Sequence, residues 1–454
     1  MQRDEFIKIL GLGAASVLFP SISSGKQNKG KVIIIGAGLA GLTAGKHLQS
    51  YGWEVEILEA RDRIGGRIHT NRDWGFPIEL GANWIHEGGH PENPLLKMAE
   101  QNGVQHQATH YSSANVYKHN GDKVSALGLA LGYYRLDKRL QHSAKAAGSH
   151  ASLAHFLKAS IPYSELSPAQ AAIFKGPIWE GIRTSIGEDL EQADADFYLN
   201  QMLENGKYKD YLVTSGYDHF AEQQAATLQV KKHHIAQAID TRQRRVAVHS
   251  NHGVHEADYA IVTVPLGVLK SGAIAFNPGL SVAKRRAIEQ IGYGSFNKVF
   301  LQFEKKFWGQ DKHFYVFERA LQKEHGLFVN LHKYTGKPVL VGLPSGEAAR
   351  VVEQKSEAEL KAEWTSFFRT YFPGKDIEIA RLRLTRWGAD NFSKGAYSFA
   401  GRGANKASFE ALSMPEGRIH FAGEATNARH HGNVHSAVIS GIREADRINS
   451  YTAR

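Results

Sequence analysis

Gly36, Gly38 and Gly41 form a G-x-G-x-x-G run inside IIIGAGLAGLTAG. The chemistry of such a run is anion binding by backbone. The first glycine permits a tight turn, the second lets the chain approach a pyrophosphate, and the third allows a helix to pack closely on a strand. The N-terminus of that helix then offers amides and the positive end of its dipole to phosphate. Glu59 ends the next apolar stretch, where a carboxylate accepts hydrogen bonds from ribose hydroxyls. These residues imply an ADP-containing dinucleotide. A second run, EARDRIGGR, starts at Glu59. It adds Arg61 and Arg67 as cations for pyrophosphate oxygens, and Gly65-Gly66 for a further close approach. A nicotinamide cofactor has no evident need of this second cationic loop, so the expectation is FAD. Arg63 is given no role.

The elements that must position these residues follow from periodicity. The Val/Ile run at Lys31–Ile35 predicts a buried strand, residues 36–45 a turn entering a helix, and Trp53–Glu59 a second parallel strand. This βαβ unit opens a doubly wound α/β domain of Rossmann type with a parallel central sheet. Residues 96–204 read as mainly helical. Strand character returns at 228–248, 259–264 and 298–303, with a turn at Pro265-Leu266-Gly267. A helix is predicted over Glu357–Tyr371, a last strand over Arg418–Gly423 and a last helix over Val434–Ile448. The cofactor-type motifs sit at both ends of the chain, so the dinucleotide domain is expected to be discontinuous. It takes residues 31–95, 205–290 and 410–454, and an interleaved α+β substrate domain takes 96–204 and 291–409.

The bulk composition narrows the function classes. There are no cysteines among 454 residues, which excludes disulfides, thiolate metal sites and cysteine nucleophiles. The net charge of +10 comes from scattered Lys and Arg, the densest groups being Lys231-Lys232, Arg244-Arg245 and Lys284-Arg285-Arg286. That pattern is a solvated basic surface rather than a nucleic-acid site. Residues 1–30 carry Arg3, Lys8 and an apolar stretch from Ile9 to Phe19. They resemble a bacterial twin-arginine export segment in which Gln2 breaks the arginine pair. The stretch is too short for a stable transmembrane span, and the expectation is export to the periplasm or cell envelope. Lys298 stands out further along, because an ammonium beside Val299-Phe300-Leu301 is costly without a partner.

In order, IIIGAGLAGLTAG, LEARDRIGGR, ELGANWIH, SGYD, VPLGVL, FNKVFLQF, RWGADNFSKGAYS and FAGEATNARHHGNVHSAVISGIREA resemble the flavin-containing amine oxidases. That family includes polyamine, monoamine and L-amino-acid oxidases and lysine-specific histone demethylases. The resemblance implies that Ala82 and Asn83 meet the flavin side of the cofactor and that Ala236 contacts adenine through its backbone. Glu424 lies near the ribityl-pyrophosphate part. Asn433 and Val434 stand at the start of the last helix, where the Val434 amide would face the pyrimidine edge of the isoalloxazine. A helix N-terminus there stabilises the charge of the reduced ring. Lys298 is implied to hold a water near flavin N5 and to assist the reaction with oxygen. Trp387 and Tyr397 line the substrate site, where aromatic faces orient amines. His86 faces the substrate tunnel, with Glu87 and Glu92 near enough to attract a polycation. Asn433 replaces an aromatic residue of the monoamine oxidases, which opens one side of their cage. Ala396 replaces the cysteine that tethers flavin in them, so FAD is expected to be non-covalent. His430, His431 and His435 are assigned no metal: they lie in the flavin-binding stretch, with no carboxylate cluster evident in the sequence.

The implied activity is oxidation of a C–N bond of a small polyamine-like substrate, with oxygen as acceptor. An L-amino-acid oxidase needs a cation for the substrate carboxylate, and the sequence assigns no arginine to that task. Another FAD-dependent amine dehydrogenase or desaturase is the further enzyme alternative. A flavin-stabilised binding protein is the non-enzyme alternative. A chromatin enzyme is disfavoured by the lack of a long helical insertion or an added reader domain.

Overall fold

The computed structural model describes residues 29–451 apart from 89, 119, 145–151, 205–208 and 319–325. The export-like segment therefore lies outside the described residues.

Five parallel strands form the sheet under the glycine loop. Their order is Ile419–Phe421, Tyr259–Val262, Lys31–Ile35, Glu54–Leu58 and Val230–Lys231. Alternation decides which face each residue serves. Val32 and Ile34 pack into one apolar cluster, Ile33 and Ile35 into another. Helices Leu39–Ser50 and Val434–Tyr451 cover the first face, contributing Leu42, Leu48, Ala445 and Ile448. The second face is covered by a four-stranded, mostly antiparallel sheet built from residues 236–277.

The two helices run side by side in the same direction. Leu39 clusters with Val434 and Val438, while Tyr51 bonds Asp446 through its hydroxyl at 2.6 Å. They approach closely because Gly441 has no side chain: a Cβ there would lie 2.4 Å from the Ala40 carbonyl oxygen. Both N-termini consequently point to the same end of the sheet.

A six-stranded sheet stands apart from the first. Its order is Ile379–Leu384, Val299–Phe303, Val339–Gly342, Leu327–Asn330, Phe314–Phe317 and Ala114–Tyr117. Neighbours are antiparallel except the last pair. The predicted helix Glu357–Tyr371 forms over those residues, started by a Ser356–Glu359 capping box, and lays Leu360, Trp364 and Phe368 on one face of this sheet. The other face is covered largely by helical chain between 126 and 199. A three-stranded sheet joins Trp84–Gly88, Lys209–Val213 and His106–Thr109. The turn expected at residues 265–267 is instead the entry to a short helix, Leu266–Lys270, with Pro265 at its N-cap. No helix among the described residues is long and apolar enough to cross a membrane.

Candidate active site

The two glycine runs meet through their backbones. The Gly65 amide donates to the Ala37 carbonyl at 2.8 Å, and Gly38 forms a bridge with Gly65. Gly36 and Gly65 have φ of 107° and 92°, which only glycine adopts without strain. A Cβ on Gly41 would lie 2.1 Å from the Gly36 carbonyl oxygen, so the third glycine is sterically required. A Cβ on Gly38 would meet nothing within 4 Å. The loop thus presents bare backbone to open space, at a helix end whose first-turn amides have no intrahelical acceptor. This cradle fits a dinucleotide pyrophosphate.

Glu59 organises the loop from behind. Its carboxylate accepts from the Ala37 amide at 2.7 Å and from the Arg61 amide at 2.8 Å. Arg61 is bound at both guanidinium nitrogens by Asp390, at 2.6 and 2.7 Å, and lies over the Phe392 ring. It is held to the segment 390–392 rather than extended alone into the cradle. Arg67 donates to the Ala396 carbonyl at 2.8 Å and to Glu424 at 2.7 Å. The other oxygen of Glu424 accepts from the Ser398 hydroxyl at 2.5 Å and the Gly432 amide at 2.8 Å. Burial acts to raise the Glu424 pKa, but Arg67 and these donors outweigh it and hold the carboxyl below its usual range. Glu424 thereby ties together three stretches distant in sequence, around residues 67, 398 and 432.

Lys298 is 3 % exposed, at the residue before its strand. Its partners are three oxygens: the Glu79 carbonyl at 2.8 Å, the Gly81 carbonyl at 2.5 Å and Asn83 Oδ1 at 2.8 Å. Only an ammonium has three hydrogens to give. Burial pushes the Lys298 pKa down while the Glu79 charge pulls it back up. Glu79 is itself buried, its pKa raised by burial against the opposing pull of the Thr70 hydroxyl and the Tyr217 amide. Trp387 donates its indole N–H to Leu80 O at 3.0 Å, so Lys298 and Trp387 grip consecutive carbonyls of one loop. A cavity adjoins this corner, lined by Glu79, Asn83, Thr214, Lys298, Phe300 and Leu331 among others.

The remaining expected residues are placed as follows. Ala82 donates its amide to the Arg67 carbonyl at 3.1 Å, which sets the 79–83 loop against the second glycine run. Ala236 begins a strand of the four-stranded sheet. Val434 opens the last helix, and the Asn433 amide donates to the His430 carbonyl at 3.3 Å. Tyr397 packs its ring against Gly187 and Gly432 and donates its hydroxyl to the Thr184 carbonyl. Its pKa is driven up by burial. His86 pairs with Asp210 at 2.9 Å. His86, Trp387 and Tyr397 do not line the Lys298 cavity, whereas Asn83 does. Glu87 and Glu92 do not stand free: both carboxylates lie against His430.

Sequence reading missed Glu79, Asp210, Asp390 and Tyr217 as partners. Glu79 had a usable signal, an acid between Ile78 and Leu80 that mirrors Lys298 among apolar neighbours. Asp210 and Asp390 had none, since each partner lies more than 100 positions away.

The profile of the family described as flavin containing amine oxidoreductase matches residues 39–449. Polyamine oxidase 2 of Arabidopsis thaliana is 31% identical over 441 residues, 93% of this chain and 88% of that protein. Lysine-specific histone demethylase 2 of Homo sapiens is 30% identical over 98% of this chain, which spans 56% of that longer protein. A solved structure of putrescine oxidase redesigned in cofactor binding superposes with a TM-score of 0.75 at 20% identity, covering 93% of this chain and 99% of that one. A paired glycine cradle, a buried lysine holding the 79–83 loop and a family match across nearly the whole chain lead to one identification: this chain belongs to the flavin containing amine oxidoreductases and is a flavin-dependent amine oxidase.

Proposed function

We propose that the protein is a polyamine oxidase that binds FAD without a covalent link. The observation that carries this reading is the paired glycine cradle with Glu59 behind it, which suits the ADP half of FAD. The polyamine oxidases among its relatives support the substrate class. Ala396 offers no sulfur, and the chain contains no cysteine to replace it.

Bound there, FAD would supply a two-electron acceptor for the C–H bond at the amine's α-carbon and a route for that electron pair to oxygen. The net change is R–CH2–NH–R′ + O2 + H2O giving R–CHO, R′–NH2 and H2O2. The chain's own residues prepare this. The glycine loop and the Leu39 helix end hold pyrophosphate, and Glu59 keeps acceptor capacity for ribose. Arg67 and Glu424 fix the segment 396–398, which would lie beside the cofactor. Lys298 fixes the 79–83 loop, and so the position of Asn83 at the cavity. Trp387 and Tyr397 orient the amine, which reacts as the free base. Apolar surroundings favour that form by disfavouring the ammonium.

The test is to record flavin absorbance near 450 nm anaerobically and add spermine, spermidine, N-acetylspermine, putrescine, tyramine or L-amino acids in turn. Bleaching by a polyamine, with peroxide on readmitting air, supports the proposal. Bleaching by amino acids alone overturns the substrate class. Acid precipitation that leaves FAD in the supernatant supports the non-covalent link, and flavin remaining on the protein overturns it.

A further inference from the structure

Three buried ligand atoms converge where the last helix begins. Glu87 Oε2 lies 2.9 Å from His430 Nδ1 and 3.9 Å from His435 Nε2, and all three lie within 4.8 Å of one another. His430 is 2 % exposed and His435 1 %. None of the three atoms makes a hydrogen bond. At 2.9 Å the Glu87–His430 contact is short enough for one, yet its geometry does not satisfy one. Buried polar atoms are nearly always partnered, so two imidazole nitrogens and a carboxylate oxygen left in this way call for a shared cation.

The surroundings agree. His430 Nε2 is 3.1 Å from Glu92 Oε2. A proton held on Nε2 by that carboxylate leaves Nδ1 as a lone pair, the arrangement that orients metal-bound histidines. Glu87 reaches the cluster through a left-handed backbone, φ 52°, in a strand whose register shifts between Ile85 and Gly88. Such strain in a non-glycine residue persists only where surrounding structure over-determines it.

We propose that Glu87, His430 and His435 form a binding site for a first-row divalent metal ion. The mixed imidazole and carboxylate set suits Zn2+, with water as the fourth ligand. Two atoms each about 2.0–2.1 Å from one tetrahedral ion lie about 3.3–3.4 Å apart, between the 2.9 Å Glu87–His430 and 3.9 Å Glu87–His435 spacings. The ion clamps the strand carrying His86 to the turn that leads into Val434.

The test uses the full chain with its flavin, stripped with dipicolinate and titrated with Zn2+ by calorimetry. Retained metal is counted by mass spectrometry after gel filtration. One Zn2+ per chain is expected, bound at least tenfold more weakly by Glu87→Gln and His435→Ala, and about 10–100-fold more weakly by Glu92→Gln. X-ray absorption at the zinc edge should show two imidazoles and light ligands at about 2.0–2.1 Å. Equal uptake by the wild type and every variant would assign the metal to surface histidines such as His234 and His252 and overturn the proposal. So would no uptake at all. If His435→Ala does not fold, the near-isosteric Glu87→Gln decides. Metal content is read without turnover, so the outcome is independent of the polyamine assignment.

Discussion

Around the dinucleotide cradle the contacts run through backbone. Gly65 bonds Ala37, Gly38 bridges Gly65, and Glu59 spends its carboxylate on two amides. Around Lys298 and Glu424 the contacts depend on charged side chains delivered from segments hundreds of positions apart. The first region tolerates changes of side chain but no added Cβ at Gly36, Gly41 or Gly65. The second tolerates small changes of shape but no loss of a charge or a donor. A cradle made of backbone and a corner made of buried ions thus fail in different ways.

The largest effect should come from Glu424→Ala. It leaves the Arg67 guanidinium facing a hole and removes the acceptor for Ser398 and Gly432. Breaking a buried pair costs about 3–5 kcal/mol, to be read by urea unfolding, and a loss below 1 kcal/mol would show that this corner is not held by charge. Gly41→Ala comes next. Its Cβ must displace the Gly36 carbonyl, an overpacking cost of about 1–3 kcal/mol. Flavin per chain should fall more steeply than stability, and retention of full flavin would break the backbone side of the comparison.

Lys298→Met keeps length and apolar bulk but leaves three oxygens without their donor. A stability loss of about 1–3 kcal/mol is expected, with normal flavin content and an at least tenfold slower oxidation of reduced enzyme in stopped flow. The same variant sharpens the electrostatic argument. Lys298 has a folded pKa below its ordinary value. Between the two values the unfolded chain binds more protons, so this group's contribution to stability rises with pH. The wild type should therefore gain on Lys298→Met from pH 7 to pH 9. Glu79 is shifted up. Its contribution falls as pH rises through the range above the usual carboxylate value, so Glu79→Gln should gain on the wild type there. Ser356→Ala, distant from both regions, should cost only about 1 kcal/mol through its lost cap and leave flavin content unchanged.

The first strand and helix, the Glu357–Tyr371 helix and the last helix were legible from periodicity and caps, because those signals are local. The glycine cradle was legible too, since the sterics that demand Gly36 and Gly41 act within a few residues. Lys298 could be singled out by its apolar neighbours, but its three oxygens could not be named. The reading of Glu87 and Glu92 as free attractors for a polycation did not foresee that both turn to His430. No carboxylates were foreseen beside the histidines either.

By itself the sequence determined the elements whose causes lie within a turn or a strand: the βαβ opening, its glycine geometry, the absent thiol at Ala396 and the lysine set beside an apolar run at Lys298. Only the tertiary structure decided the pairings Arg67–Glu424, Arg61–Asp390 and His86–Asp210 and the gathering of Glu87 with His430 and His435. The physical reason is range. Backbone sterics and capping act between near neighbours, whereas a buried charge takes whichever partner the packing of sheets and helices brings within about 3 Å, whatever its distance along the chain.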